Sequence, residues 1–387
     1  MGKYGNFNLG IFDKLWSEGK FIQSFVDKSA MLKTNYRFAF ENFEIERQVR
    51  PVDKDGVASF TIESRALTPD GMADFKGALA HNTGIDKEGS MAYSGSIGTF
   101  GKALNPVTVM DREEMAKTIA MFGNESRLVL DYIEDLQTLK NYMDSRLSNM
   151  AGQLISTGKI IGRNGEDMAI LYNQDAKIPT ANKVNAGAKA WTDPTADILD
   201  YMHNIESAYR DRTGDEQPLK WQIPLSMWRN VFLTNTAIKA KIVEYRTLKE
   251  QPTSSGGTVL EEWYVEYINN LGLTSPIEIV KEGECQVGLD TRTDVNGWDV
   301  KYAVLRPRGY AGLIVHGDIL KAVLAKKYTS KTIERTVAYL EGGIYALINS
   351  VKDTDGYPEF HTDMEACAVP ALTCAPYITI VDSSTAD

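Results

Sequence analysis

Cysteine is scarce: only Cys285, Cys367 and Cys374 occur in 387 residues. An odd, sparse set is not a disulfide framework and fits a reducing site of synthesis. The gap between Cys367 and Cys374 contains Pro370 and lacks the short spacing of a structural zinc knuckle, so both read as small core hydrophobes. No apolar run approaches the roughly 18 residues that a membrane span needs. The opening stretch from Met1 to Lys20 breaks its apolar residues with Gly, Asn, Asp and Lys, so it holds no signal-peptide core. These absences point to a protein made and kept in the cytoplasm, or in something assembled there. Positive charge is also in deficit, with 42 Lys and Arg against 52 Asp and Glu and a formal net charge of -10. Broad attraction to a phosphate backbone or an anionic membrane is therefore not expected.

Catalytic signatures are missing as well. The glycine-rich pieces Gly95-Ser96-Ile97-Gly98, Gly162-Arg163-Asn164-Gly165 and Ser254-Ser255-Gly256-Gly257 lack the endings of a phosphate loop or a dinucleotide turn and read as turns. There is no G-x-S-x-G elbow and no H-E-x-x-H, and four histidines (His81, His203, His316, His361) leave few options for a triad. The best metal-like group is His361, Asp363 and Glu365, which share one face if the stretch is extended, because side chains alternate across a strand. Three such ligands can hold a divalent cation, while a solvated strand face is the competing reading. Asp111, Glu113 and Glu114 read as favourable charge at a helix start. Arg306 and Arg308, around Pro307, read as a small basic spot. No catalytic, cofactor-binding or metal-ligating residue is assigned, and no enzyme activity is expected.

What is present is a globular composition, 43% hydrophobic and 24% charged, enough for two to three domains at about 150 residues each. Residues 1 to about 50 are rich in aromatics with weak periodicity, supporting short helices around Ile11 to Trp16 and Lys20 to Lys28. Such a segment packs on its own domain or embraces a neighbouring subunit. Strand-like runs, Phe43 to Ile62 and Tyr93 to Met110, flank a polar middle from Thr68 to Ser90, which predicts a long hairpin with a projecting tip. After a short helix from Asp111 to Phe122, the residues Val129, Ile133, Leu136, Leu139, Met143, Leu147, Met150 and Leu154 recur at spacings of three and four. They predict an amphipathic helix of about 33 residues and about 50 Å, capped by Asn124 or Ser126 and closed at Gly158. Two helices broken near Asn141 or Ser148 are the alternative.

Lys159 to Tyr172 reads as a hairpin around Arg163-Asn164-Gly165. Thr192 or Asp193, with Pro194, opens a helix running to Gly214. Leu219 to Pro224 is a strand, Met227 to Leu233 is helical, and a helix from Leu260 to Asn270 precedes strands at Ile277 to Glu282 and Tyr302 to Leu305. The last strand is Tyr377 to Val381. Strands and helices mixed in this order predict an α+β fold rather than βαβ winding.

Three stretches carry a resemblance: Asp144 to Ile160, with its Thr157-Gly158-Lys159 close; Ala190-Trp191-Thr192-Asp193-Pro194, with the helix and the Trp221 to Val231 segment after it; and Val369-Pro370-Ala371-Leu372 followed by Pro376 to Val381. In order, they resemble lambda-type major capsid proteins of tailed double-stranded DNA bacteriophages. The sequence of elements resembles the Hong Kong 97 phage capsid fold across nearly the whole chain. That resemblance implies an N-terminal arm at 1–42, an extended loop at 43–110, a peripheral domain with the spine helix at 111–189, an axial domain at 190–350, and return strands of the peripheral domain at 351–387. It implies self-assembly into hexamers and pentamers of an icosahedral head enclosing double-stranded DNA, without sequence-specific binding, membrane or cofactor. It also implies assembly in the host cytoplasm, residence in the virion, a separate scaffolding protein, a portal and a possible decoration protein. Certain relatives join a loop lysine to a neighbour's asparagine; Lys76, Lys87 and Lys102 lie in or near the loop here, but no motif singles out a pair. The competing expectations are a cellular nanocompartment shell of the same fold, a soluble α+β metal-dependent enzyme using His361, Asp363 and Glu365, and a head-decoration or tail-tube protein.

Overall fold

A computed structural model describes residues 36–47, 58–64, 91–97, 99–104, 125–161, 174–213, 217–254, 259–270, 274–285, 297–319, 321, 335–340, 342–352 and 358–386. In chain order, helix α1 (Phe38–Asn42) leads into β1 (Phe43–Arg47), followed by β2 (Ala58–Ser64), β3 (Met91–Ile97) and β4 (Phe100–Ala103). The long helix α2 (Glu125–Thr157) precedes β5 (Lys159–Ile160), β6 (Gln174–Asp175) and β7 (Lys183–Asn185). Then come α3 (Ile198–Thr213), β8 (Leu219–Pro224), a helical stretch formed by Leu225–Met227 and Trp228–Phe232, α4 (Thr236–Leu248), α5 (Glu261–Asn270) and β9 (Ile277–Val280). The remaining strands are β10 (Tyr302–Pro307), β11 (Gly312–Gly317), β12 (Arg335–Leu340), β13 (Ile344–Lys352), β14 (Pro358–Leu372) and β15 (Thr379–Asp382). The α+β class expected from the sequence is the class observed.

Two sheets organise two cores. The first runs β1-β11-β14-β13-β12, with β4 also paired to β14; the second runs β7-β15-β10-β8-β9. Helix α2 packs on the first sheet and buries Leu136, Leu139, Met143, Leu147, Met150 and Leu154, the three-and-four repeat read from the sequence. The helix is continuous through Asn141 and Ser148. It stops where Gly158 adopts φ +75, a left-handed conformation that favours glycine, and where a Cβ would lie 2.7 Å from the Ile178 side chain. The second core is aromatic: Trp191, Trp221, Trp228, Phe232 and Tyr264 are buried between α3, α4, α5 and the second sheet. Each indole finds an acceptor, Glu206 for Trp221, Glu261 for Trp228 and the Ala186 carbonyl for Trp191, as buried N–H groups require.

Several local expectations shift. Helix α3 begins at Ile198 rather than at Pro194, because the Asp193 carboxylate is engaged in a turn, accepting from both the Thr195 amide and hydroxyl at 2.7 Å. Helix α4 was not expected; Asn235 caps it by accepting from the Ile238 amide at 2.8 Å. Lys159 and Ile160 pair with Asp175 and Gln174, beyond the expected hairpin end at Tyr172. Strands β11, β12 and most of β13 fall in the 190–350 stretch and belong to the first sheet with β1 and β14. The turn at 163–165, the helix at 111–122 and the hairpin tip at 68–90 lie outside the described residues.

Candidate assembly interface

The expected long hairpin has a described root. β2 and β3 pair antiparallel from Ala58↔Ile97 to Ser64↔Met91 as a separate two-stranded ribbon outside both larger sheets. Its inner end is held by Ile97, which is buried in the first core and whose carbonyl faces the Cys367 thiol at 3.8 Å. Seven paired residues span roughly 24 Å at 3.4 Å each. A lone two-stranded ribbon is marginal in water, so this one needs a surface to lie on. β4 then returns the chain to the edge of β14 through Asp363↔Ala103 to Ala366↔Phe100. Gly101 is required at that crossing, because a Cβ there would lie 2.8 Å from the Met364 carbonyl oxygen.

The long helix carries a second feature that its apolar periodicity conceals. Lys140, Asp144, Ser148, Asn149, Gln153 and Ser156 are buried along it. Lys140 pairs with Asp144 at 2.5 Å. Ser148 donates to the Tyr36 carbonyl, Asn149 to the Cys285 carbonyl, Gln153 accepts from the Ile161 amide, and Ser156 accepts from the Asp299 amide. The helix therefore fastens four chain segments by their backbones, and its polar residues fix position where its leucines supply adhesion.

At the junction of the two sheets lies a buried polar cluster. The Arg306 side chain, fully buried, donates to Gln222 at 2.9 Å and to Asn42 at 2.5 Å. Gln222 in turn donates to Asn42 at 3.0 Å and to Glu278 at 2.9 Å, and Lys220 donates to Glu278 at 2.6 Å. Burial pushes the Glu278 carboxyl up, but hydrogen bonds from Lys220 and Gln222 and the charges of Lys220 and Arg306 outweigh it and hold its pKa below the usual value. Burial pulls both Arg306 and Lys220 down from their ordinary values. The small basic spot expected at Arg306 and Arg308 is thus corrected: Arg306 is interior because its fork has partners on every side, and only Arg308 is exposed.

His361, Asp363 and Glu365 do share one face of β14, each partly exposed. Lys321 reaches across that face to pair with both Glu365 and Asp363, the latter at 3.6 Å. Burial lowers the Lys321 ammonium, and the two carboxylates outweigh it and raise its pKa. Among the described residues no group of three His, Cys, Asp or Glu is arranged to hold a metal ion. Lys102 is exposed on β4, with its ammonium 5.6 Å from the Tyr142 ring, itself 42% exposed on α2. Lys76, Lys87, Asp111, Glu113 and Glu114 lie outside the described residues. Exposed apolar side chains gather on α4 and α5 at Val243, Leu248 and Val265. Among the described residues no helix is long and apolar enough to cross a membrane.

No protein-family profile matches the chain, and no curated protein matches it in sequence. Solved structures do match. A protein described as the capsid protein of a prophage of E. coli CFT073 is 17% identical with a TM-score of 0.38, covering 85% of this chain and 77% of that one. A phage-related protein from Bordetella bronchiseptica RB50 is 11% identical with a TM-score of 0.42, covering 94% and 96%. A virus-like particle from Pyrococcus furiosus is 9% identical with a TM-score of 0.36, covering 94% and 98%. Structures described as phage capsids are among the other matches.

Proposed function

We propose that this protein is the major capsid subunit of a tailed double-stranded DNA phage, a structural protein without catalytic, cofactor or metal residues. The observation that carries the reading is the ribbon β2–β3, rooted in the first core at Ile97 yet outside both sheets, followed by a helix of 33 residues. A two-stranded ribbon outside both sheets is marginal by itself, and a neighbouring subunit in a tiled shell gives it a surface to lie on. The motifs at Asp144 to Ile160, Ala190 to Pro194 and Val369 to Val381 support the same reading.

In this reading 1–42 is the arm and 43–110 the extended loop, which overlies the neighbouring subunit. The α2 unit and the six-stranded sheet form the peripheral domain, closed by strands within 351–387. The axial domain starts near 190, and we end it with β10 at Pro307 rather than at the 350 read from sequence, because β11 and β13 pair with β14, and β12 with β13. Hexamers and pentamers build an icosahedral head in the host cytoplasm, with a scaffolding protein, a portal and a possible decoration protein as partners. The enclosed DNA needs no specific site, and a net charge of -10 keeps the subunit from adhering to it at large.

The test is expression of the full chain, alone and with a neighbouring scaffold gene, followed by sedimentation and negative-stain electron microscopy. Closed particles or capsomer sheets are expected. A well-folded monomer that never assembles, even with scaffold and crowding salt, overturns the proposal. Particles encoded beside a cargo enzyme, with no portal or packaging motor nearby, would assign the shell to a nanocompartment instead.

A further inference from the structure

The chain passes from the second sheet to the first through the short loop between β10 and β11. Arg306, next to last in β10, spans its beginning: besides Gln222 and Asn42, its guanidinium donates to the Pro307 carbonyl at 3.1 Å and the Gly309 carbonyl at 2.8 Å. Asn42 spans its end, its backbone carbonyl accepting from the Ala311 amide at 2.7 Å. Between these points the Arg308 amide and Nε donate to the Pro218 and Leu219 carbonyls at 2.8 and 3.1 Å, while Gly309 adopts φ +94 and a Cβ there would meet nothing within 4 Å, so the loop is fastened by hydrogen bonds and not by packing around its middle. The two clamping side chains also hold each other, Arg306 Nη2 to Asn42 Oδ1.

Asn42 is the last residue of α1, and the next residue, Phe43, begins the parallel pairing of β1 with β11. One contact thus ties the loop that crosses between the sheets to the segment that lays the edge strand on the first sheet. An apolar contact at this point would tolerate sliding, whereas a guanidinium fork accepts one angle and one register. When the contact opens, both partners can be rewetted, so opening exposes hydrogen-bonding groups rather than a broad apolar face.

We propose that Arg306 and Asn42 form a clasp over an inter-sheet hinge: the loop from Arg308 to Ala311 turns only when their contact opens, and opening also loosens residues 38–47 from β11. This inference goes beyond the assembly reading and does not rest on it.

Hydrogen exchange with mass spectrometry on the full chain tests it. In Asn42→Ala, amides in 308–317 and 38–47 are expected to exchange about tenfold faster or more, while those of α2 from 139 to 157 and of α3 keep their rates. Arg306→Lys retains the charge and loses the fork, and the same pattern is expected. Ser148→Ala serves as the comparison, since it removes the fastening of Tyr36 and Ala39 and should speed 36–41 without touching 308–317. The proposal is overturned if Asn42→Ala leaves 308–317 unchanged, if it speeds both cores alike, or if Ser148→Ala reproduces its pattern. Should Arg306→Lys fail to fold, Asn42→Ala decides through 308–317, because it also removes the Asn42 donation to the Phe38 carbonyl and so can speed 38–42 by itself.

Discussion

The Ser148 hydroxyl in the middle of the long helix donates to the Tyr36 carbonyl at 2.9 Å and accepts from the Ala39 amide at 3.3 Å, across more than a hundred residues of chain. One small side chain thereby positions the segment that feeds β1. Ser148→Ala leaves both backbone groups without this partner and is expected to destabilise the fold by about 1–2 kcal/mol, read as a lower urea midpoint at unchanged slope. A midpoint equal to that of the parent would mean that these groups find water instead.

Leu147, one residue away, faces the apolar side and is fully buried. Leu147→Ala removes its packing and leaves a cavity that the sheet beneath cannot fill, for an expected loss of about 2–5 kcal/mol. Equilibrium denaturation measures it; a loss under about 1 kcal/mol would show that the site collapses.

Gly312 opens β11 where two strands lie too close for any side chain: a Cβ would sit 2.0 Å from the Ala371 carbonyl oxygen. Gly312→Ala must push β11 away from β14 and break the ladder that joins β1 to the sheet. We expect little soluble protein, or a loss of about 3 kcal/mol or more. Gly309→Ala, facing open space but at φ +94, should be milder, and equal effects would disprove the steric account.

The Glu278 carboxylate is favoured by folding, since its pKa in the fold lies below the ordinary 4.5. Its contribution is therefore present above the unfolded carboxylate's range and is lost as pH falls below 4.5 through the folded value. Urea unfolding between about pH 7 and pH 3 should show a decline that is shallower in Glu278→Gln than in the parent. Parallel declines would place the acid sensitivity elsewhere.

On β14, the Lys321 ammonium already occupies the position between Asp363 and Glu365 that a cation would take. Equilibrium dialysis against zinc or magnesium should leave the parent chain unloaded. Stoichiometric retention that His361→Ala and Asp363→Ala abolish would revive a metal role for this face.

The long helix was legible because its leucines and methionines recur at spacings of three and four, and its stop was legible because Gly158 needs a left-handed backbone. β8 was legible to the residue, since Leu219, Trp221 and Ile223 alternate with Lys220 and Gln222 as a strand requires. The polar ladder from Lys140 to Ser156 was not, because nothing in a helix repeat says that a serine or glutamine will face another segment's backbone. β11 to β13 escaped notice since their apolar residues alternate only in part and their partners are set by tertiary pairing rather than by local pattern. The basic spot failed for a related reason: a charge reads as surface unless its partners, here Asn42 and Gln222, can be seen to converge on it from two distant stretches.

The parallel pairing of β1 with β11 sets an order of events during synthesis. Phe43 finds its partner only at Gly312, and β11 is completed on its other side by residues up to Leu372. At a synthesis rate of roughly 5–20 residues per second, the early strand waits some tens of seconds for its neighbour. The second core waits as well, since β15, which lies between β7 and β10, comes from Thr379–Asp382. Throughout that interval the apolar side of the long helix has no sheet to cover it. A nascent chain of this design is exposed to premature association for most of its production, and loss of its last strand would open the middle of a sheet rather than trim an edge.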